Sequence, residues 1–297
     1  MRWCFAYHDP EPGSGAWTLP RGFAAALRAE GVELWSYPFM DPSTVTLPTC
    51  EELIQRQISV LLVFYAGRSE ALEQELLRIR QGTDLLLVNE LGDEPQTRPL
   101  NAVRVQLSDL SLSPDAASVA FWQGLGAHCV WFTHWADTAL FHPDASVPRL
   151  RRVVTTAGRR RYTLRLQALL GPWFVNRRCA GAQNTQLYNS GLIAFQYARW
   201  QEVTRRVFEA AACGSCVVTN RLPEGAAMEQ LFEDGKSVVL YSNGWQLLSC
   251  LVQLLLEPER AARIGARGQE LVLQSHTQHS RAKQLIGLVK KLPGRDR

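Results

Sequence analysis

Short apolar runs recur along this chain, and between them lie segments whose apolar residues fall on one helical face. Residues 2–7 read as a strand; residues 20–30 read as a helix with Phe23, Ala24 and Leu27 on one side, stopped by Gly31 before a second strand at 32–37. The unit repeats with a helix at 51–57, a buried strand at 59–65, a helix at 70–81 ended by Gly82, and a strand at 84–89. Such alternation demands a parallel sheet with helices on both faces, so the fold class is α/β.

With 297 residues, 46% of them hydrophobic, the chain can bury two moderate cores. The first half is expected to finish with strands at 101–107 and 129–133 around a helix at 116–124. The turn-rich segment 142–148 is the expected linker. A second βα series follows, with strands at 152–156, 173–176, 192–196, 217–220 and 237–240 and helices at 162–170, 206–213, 226–232, 246–256 and 259–275. Two Rossmann-like domains, 1–148 and 149–285, facing each other across a cleft, are the economical architecture. No internal repeat or low-complexity tract interrupts them.

The net charge of +4 comes almost entirely from arginine, with lysine only at positions 236, 283, 290 and 291. Arginine with so mild a net charge suits a small anionic ligand; no aromatic interleaving or nucleic-acid motif accompanies the basic segment 149–165, so no nucleic-acid partner is expected. The seven cysteines are odd in number and scattered among apolar neighbours, as in a reduced cytoplasmic protein. Cys213 and Cys216 are spaced as half a zinc site, but no second pair or nearby histidine completes a ligand set, so they are expected to pack in the core. No targeting leader and no integral membrane segment is apparent, which points to the cytoplasm.

The densest chemistry lies in residues 204–220. Arg205 and Arg206 stand where the chain enters a helix, so their charges and the unpaired N–H groups of the first turn would converge on a diphosphate. Glu209 is a lone acid among Ala, Phe and Val, and a ribose diol would give it the two donors that it needs. Gly214 stops the helix before a buried strand. Elsewhere, His8 ends the first strand, where open α/β sheets place ligands, and His134 is a second candidate; either is also readable as structural. Gly13 and Gly15 would let backbone approach a phosphate or acceptor, or simply make a turn. Tyr188 and Asn189, in the polar run 184–189, either meet a nucleotide base or cap a turn.

Three blocks in order, residues 206–214, 231–239 and 276–282, together resemble a GT-B glycosyltransferase, specifically the CgeB-like group with a glycosyl-transferases-group-1 module. The resemblance is strongest over residues 188–285 and weaker before. It implies a hexosyltransferase-like enzyme, with a nucleotide-sugar donor bound by the C-terminal domain and a glycan, protein or small-molecule acceptor bound by the N-terminal one. It also implies that the last helices, 259–290, brace back towards the first domain. Glu209 matches the glutamate that holds ribose. The related sugar-contacting glutamate would fall at Gln201, and the neighbouring Glu202 is the preferred substitute; the alternative is a surface ion pair with Arg205 or Arg206. The resemblance places Arg159 and Arg165, with Arg206, on the phosphates, although such a run also reads as solvated surface. Retention of configuration rests on the resemblance alone.

No Asp-x-Asp is seen where a metal would bridge a diphosphate, and arginines can supply that charge, so metal-independent transfer without a cofactor is expected. A non-catalytic GT-B scaffold binding a glycan or partner protein is the alternative, supported by Gln201; an epimerase or phosphorylase is a third reading. No lysine in a cofactor-like context supports pyridoxal chemistry, and no paired acid and base supports epimerisation.

Overall fold

The computed structural model describes residues 1–9, 18–41, 44–64, 69–179 and 181–293. They form two compact units, one of residues 1–133 with 278–297 and one of residues 134–277. In the first, β1 (Arg2–His8), α1 (Thr18–Ala29), β2 (Glu33–Phe39), α2 (Cys50–Gln55), β3 (Ile58–Phe64), α3 (Glu70–Gly82), β4 (Leu86–Glu90), α4 (Arg98–Leu107), β5 (Leu110–Ser113), α5 (Ala116–Gly124) and β6 (Cys129–Trp131) follow in order. The strands make a parallel sheet in the order β2-β1-β3-β4-β5-β6.

Strand alternation sorts the core. Cys4 and Ala6 of β1 share a cluster with Leu61 and Val63 of β3 and with Leu72 and Leu76 of α3. Phe5 and Phe64 join Phe23 of α1, with ring centroids 5.2–6.0 Å apart, and Phe132 packs edge-on to Phe64. The sheet is therefore apolar on both sides, as the uninterrupted apolar strands require.

The second unit contains β7 (Leu150–Thr155), α6 (Arg161–Leu170), β8 (Phe174–Asn176), α7 (Ala182–Ser190), β9 (Gly191–Phe195), α8 (Arg205–Ala212), β10 (Cys216–Asn220), α9 (Met228–Leu231), β11 (Val239–Tyr241), α10 (Gly244–Leu256) and α11 (Pro258–Ser275). Its parallel sheet runs β11-β10-β9-β7-β8. The last helix, α12 (Gln278–Lys290), belongs to the first unit and packs on α1.

Four expectations change. Residues 101–107 lie in α4, not in a strand: Asn101, Arg104 and Val105 are the buried positions, a helical spacing, and Arg104 donates to Glu90 O at 2.8 Å. The polar run 184–189 is helical, because Asn184, Thr185 and Asn189 face inward to partners rather than to water. The units divide at 133/134 rather than 148/149, since the intervening segment is sewn into the second unit. There, Ala136 N donates to His276 O at 3.0 Å, Thr185 Oγ1 to Leu140 O at 2.9 Å and Asn189 Nδ2 to His142 O at 2.9 Å. Finally, α11 stays in the second unit against α8 and β10, and α12 alone returns.

α8 has a firmly defined end. Gly214, at φ +76°, gives a paired closing turn in which Gly214 N donates to Ala211 O at 2.7 Å and Ser215 N to Ala210 O at 3.2 Å. Arg149 donates to the carbonyls of Cys213 and Gly214, and Gln269 Nε2 to that of Ala212 at 2.9 Å. α11 lies so close that a Cβ on Gly265 would stand 2.5 Å from Gly214 O.

Candidate functional site

Parallel pairing brings three loops of the second unit to one edge. Thr155 and Asn176 are neighbours at the carboxyl ends of β7 and β8, so the segments after them emerge side by side; Arg177 N donates to Thr155 O at 3.1 Å. β9 adjoins β7, and the chain beyond it leads to the N-terminus of α8. At this edge Thr156, Ala157, Gly158, Arg159, Arg160, Asn176, Arg178 and Arg206 line a cavity of about 580 Å³.

Gly158 shapes the wall. Its φ of +69° is costly for any other side chain, and its carbonyl accepts from Thr163 Oγ1 at 2.9 Å and Asn176 Nδ2 at 2.7 Å. Arg160 N in turn donates to Thr163 Oγ1 at 2.9 Å at the start of α6. Four arginines thus line this space, and among the described residues no acid does. Arg206 also stands in the first turn of α8, where backbone N–H groups have no helical acceptor. Such a wall is built for an anion with several oxygens.

Glu209 sits one turn further along α8 and is only 1% exposed. Burial pushes its carboxyl above the usual carboxylate range, while Arg205, Arg206 and His134 pull it down and Asp137 adds to the rise. Arg205 Nε approaches Glu209 Oε1 at 3.5 Å, but Oε2 has no hydrogen-bond partner among the described residues. A buried acceptor without a donor is costly, and a ligand that brings a donor would remove that cost.

Glu202 is buried at 5% exposure, with Oε1 3.9 Å from His134 Nε2 and Oε2 also without a partner among the described residues. Gln201 is exposed, and its φ of +61° turns the loop so that Glu202 points inward. Neither Glu202 nor His134 lines the arginine cavity.

The remaining candidates are dispersed. Arg159 and Arg206 are brought together, with Arg160 beside them in the cavity lining. Arg165 is exposed and outside the cavity lining, because α6 turns Thr163, Leu166 and Leu170 inward and leaves Arg165 on the opposite face. Tyr188 is fully buried; its hydroxyl is 3.3 Å from Thr156 Oγ1 and accepts from Gln196 Nε2 at 3.1 Å, so it supports the cavity wall from behind. Asn189 is used up by backbone, accepting from Asp144 N at 2.9 Å and donating to His142 O and Thr185 O. His8 belongs to the first unit, stacked on Phe39 with its Nε2 3.0 Å from Met40 O. Gly13 and Gly15 lie outside the described residues.

Arg178 and Asn176 were missed. The signal was present in Asn176-Arg177-Arg178 directly after an apolar strand, but only the β7–β8 pairing brings it beside residues 156–160. Cys213 and Cys216 are fully buried, and burial pushes both thiols up to about 12, as befits core packing.

The sequence model of the Glycosyl transferase-like family matches residues 142–287. No curated protein matches the chain. Among solved structures, sucrose-phosphate synthase from Thermosynechococcus elongatus superposes with a TM-score of 0.69 at 14% identity, over 97% of this chain and 98% of that one. Anabaena HepE in complex with UDP-glucose gives 0.67 at 15%, over 98% and 100%. A glycosyltransferase from Rickettsia africae gives 0.66 at 10%, over 99% and 100%. These likenesses establish the fold as GT-B. Residues 142–287, just under half of the chain, are similar to the glycosyl transferase-like family, and together with the shared fold this identifies a glycosyltransferase on a GT-B fold.

Proposed function

We propose that this glycosyltransferase takes its sugar from a nucleoside diphosphate donor, retains configuration at the anomeric carbon and works without a metal ion or cofactor. The observation that carries the reading is the cavity where Arg159, Arg160, Arg178 and Arg206 converge, one helical turn from the unpartnered oxygen of Glu209. Cleavage of the bond from anomeric carbon to phosphate leaves negative charge on the diphosphate. Fixed cations at that point stabilise the transition state more than the ground state. Four arginines supply what a bridging divalent ion would otherwise supply, which is the ground for metal independence.

Glu209 accepts the ribose diol, and Glu202 Oε2 is the proposed acceptor for a sugar hydroxyl. The acceptor substrate, a glycan, protein or small molecule, is assigned to the N-terminal unit, where His8 ends β1. In a retaining course its proton passes to the departing phosphate, so no strong protein nucleophile is needed. The UDP-glucose held by Anabaena HepE on the same fold supports this donor class.

Calorimetric titration with a panel of nucleoside diphosphates and nucleotide sugars, with and without EDTA, tests the reading on the wild type and on Arg206→Ala. One nucleotide should bind, insensitive to chelator. The variant should weaken it about 10- to 100-fold, the loss of one charge-assisted contact set. Binding that EDTA abolishes, or that Arg206→Ala leaves intact, overturns the proposal.

A further inference from the structure

We propose that the outer face of α6 and α10 docks the protein onto an anionic lipid surface. Both helices cover the same side of the second sheet: Leu166 and Leu170 of α6 and Leu251 and Leu254 of α10 share one buried cluster with Val153. Arg151 Nε donates to Leu255 O, tying the end of α10 to the start of β7. With their inner faces joined, the opposite faces of the two helices point outward on the same side of the unit.

Those faces are not what water selects. On α6 the outward positions are Arg161, Leu164, Arg165, Ala168 and Leu169, a continuous helical stripe, and Trp173 follows. Leu164, Leu169 and Trp173 are 49%, 65% and 55% exposed; α10 adds Trp245 at 84% and Leu256 at 67%. Neither helix contains an aspartate or glutamate. Glu257, just beyond α10, is paired with Arg260 at 3.4 Å.

A solvated helix face ordinarily mixes charges of both signs and few large apolar groups. Here the only charges on the two helices are the arginines of α6, and α10 carries none. The leucine and tryptophan side chains enter the boundary between headgroups and acyl chains, while the long stems of Arg161 and Arg165 reach back to lipid phosphates. A second copy is the poorer occupant. Two-fold pairing of this face would set like charges of two basic helices together, whereas an anionic bilayer complements both arginines.

The test is co-sedimentation of the whole protein with vesicles of phosphatidylcholine alone and of phosphatidylcholine mixed with phosphatidylglycerol, at low and high salt. The wild type should pellet with the anionic vesicles at low salt and be released by salt. Leu169→Glu with Trp173→Glu, both at exposed positions and checked by unchanged melting, should weaken this about 10-fold or more. Arg165→Ala should weaken it about 5-fold. Three results overturn the proposal: no sedimentation with anionic vesicles; equal sedimentation of the double variant, or complete loss in Arg206→Ala, which would assign binding to the cavity; or a dimer, seen by analytical ultracentrifugation, that the double variant dissociates.

Discussion

Replacing Glu209 with glutamine should make the unliganded protein more stable and a worse binder. Glu209 is 1% exposed, and one of its oxygens lacks a partner among the described residues. Leaving a buried polar group unsatisfied costs about 1–3 kcal/mol, more when charged. Against this stands the contact with Arg205, which at 3.5 Å is too long for a short charge-assisted hydrogen bond and so offsets only part of the penalty. The penalty wins, and Glu209→Gln should gain about 1–2 kcal/mol at alkaline pH, on the order of 2–8 °C in Tm.

The pH dependence has a definite sign. Burial raises the native carboxyl above its unfolded range, so the wild type binds an extra proton when folded and loses stability as pH rises through the native value. Glutamine cannot titrate, so the advantage of the variant should be absent at low pH, grow as pH rises and then level. Melting curves of both proteins across mildly acidic to alkaline pH measure this, with nucleoside diphosphate titrations run beside them. Donor affinity should fall at least about 10-fold in the variant. A variant that melts at or below the wild type at every pH, or an advantage that shrinks as pH rises, would refute the reasoning.

Arg178→Ala should weaken nucleoside diphosphate binding about 10- to 100-fold, whereas Arg165→Ala, outside the cavity lining, should leave it unchanged; calorimetry of the two side by side decides whether the cavity has been drawn correctly. Gly265→Ala pits helix propensity, worth about 1 kcal/mol in favour of alanine, against a Cβ 2.5 Å from Gly214 O and 2.9 Å from Cys216 N. Backbone cannot yield as a side chain does, so the clash should prevail by about 1–3 kcal/mol and lower the urea midpoint; a higher midpoint would show that α11 can move away freely.

The parallel sheets were legible because both sets of strands are short, apolar and interleaved with one-sided helices. α4 was not, since Ala102, Val103, Val105 and Leu107 alternate loosely with polar residues and imitate a strand; only the inward Arg104 and its bond to Glu90 O reveal the helical period. α7 was hidden for the opposite reason: its inward face is asparagine, threonine and tyrosine, whose worth depends on partners distant in sequence, such as Leu140 O and His142 O. At the candidate site, Arg206 and Glu209 stood out because a helix start and a lone acid are local signals. Arg178 depends on which strand neighbours β7, and sheet order is not a local property.

Arg149 and Gln269 hold the last carbonyls of α8, and the close approach of Gly265 wedges its closing turn. The helix is therefore a socketed post, about 12 Å long, carrying Arg206 in its first turn and Glu209 midway along it. A post seated in this way cannot swing to follow one sugar or another, so its groups are already oriented when a donor arrives and little of their freedom remains to be lost. On the proposed donor site, altered donor choice is to be sought in the loops around the cavity, at residues 156–160 and 176–178, with α8 left untouched.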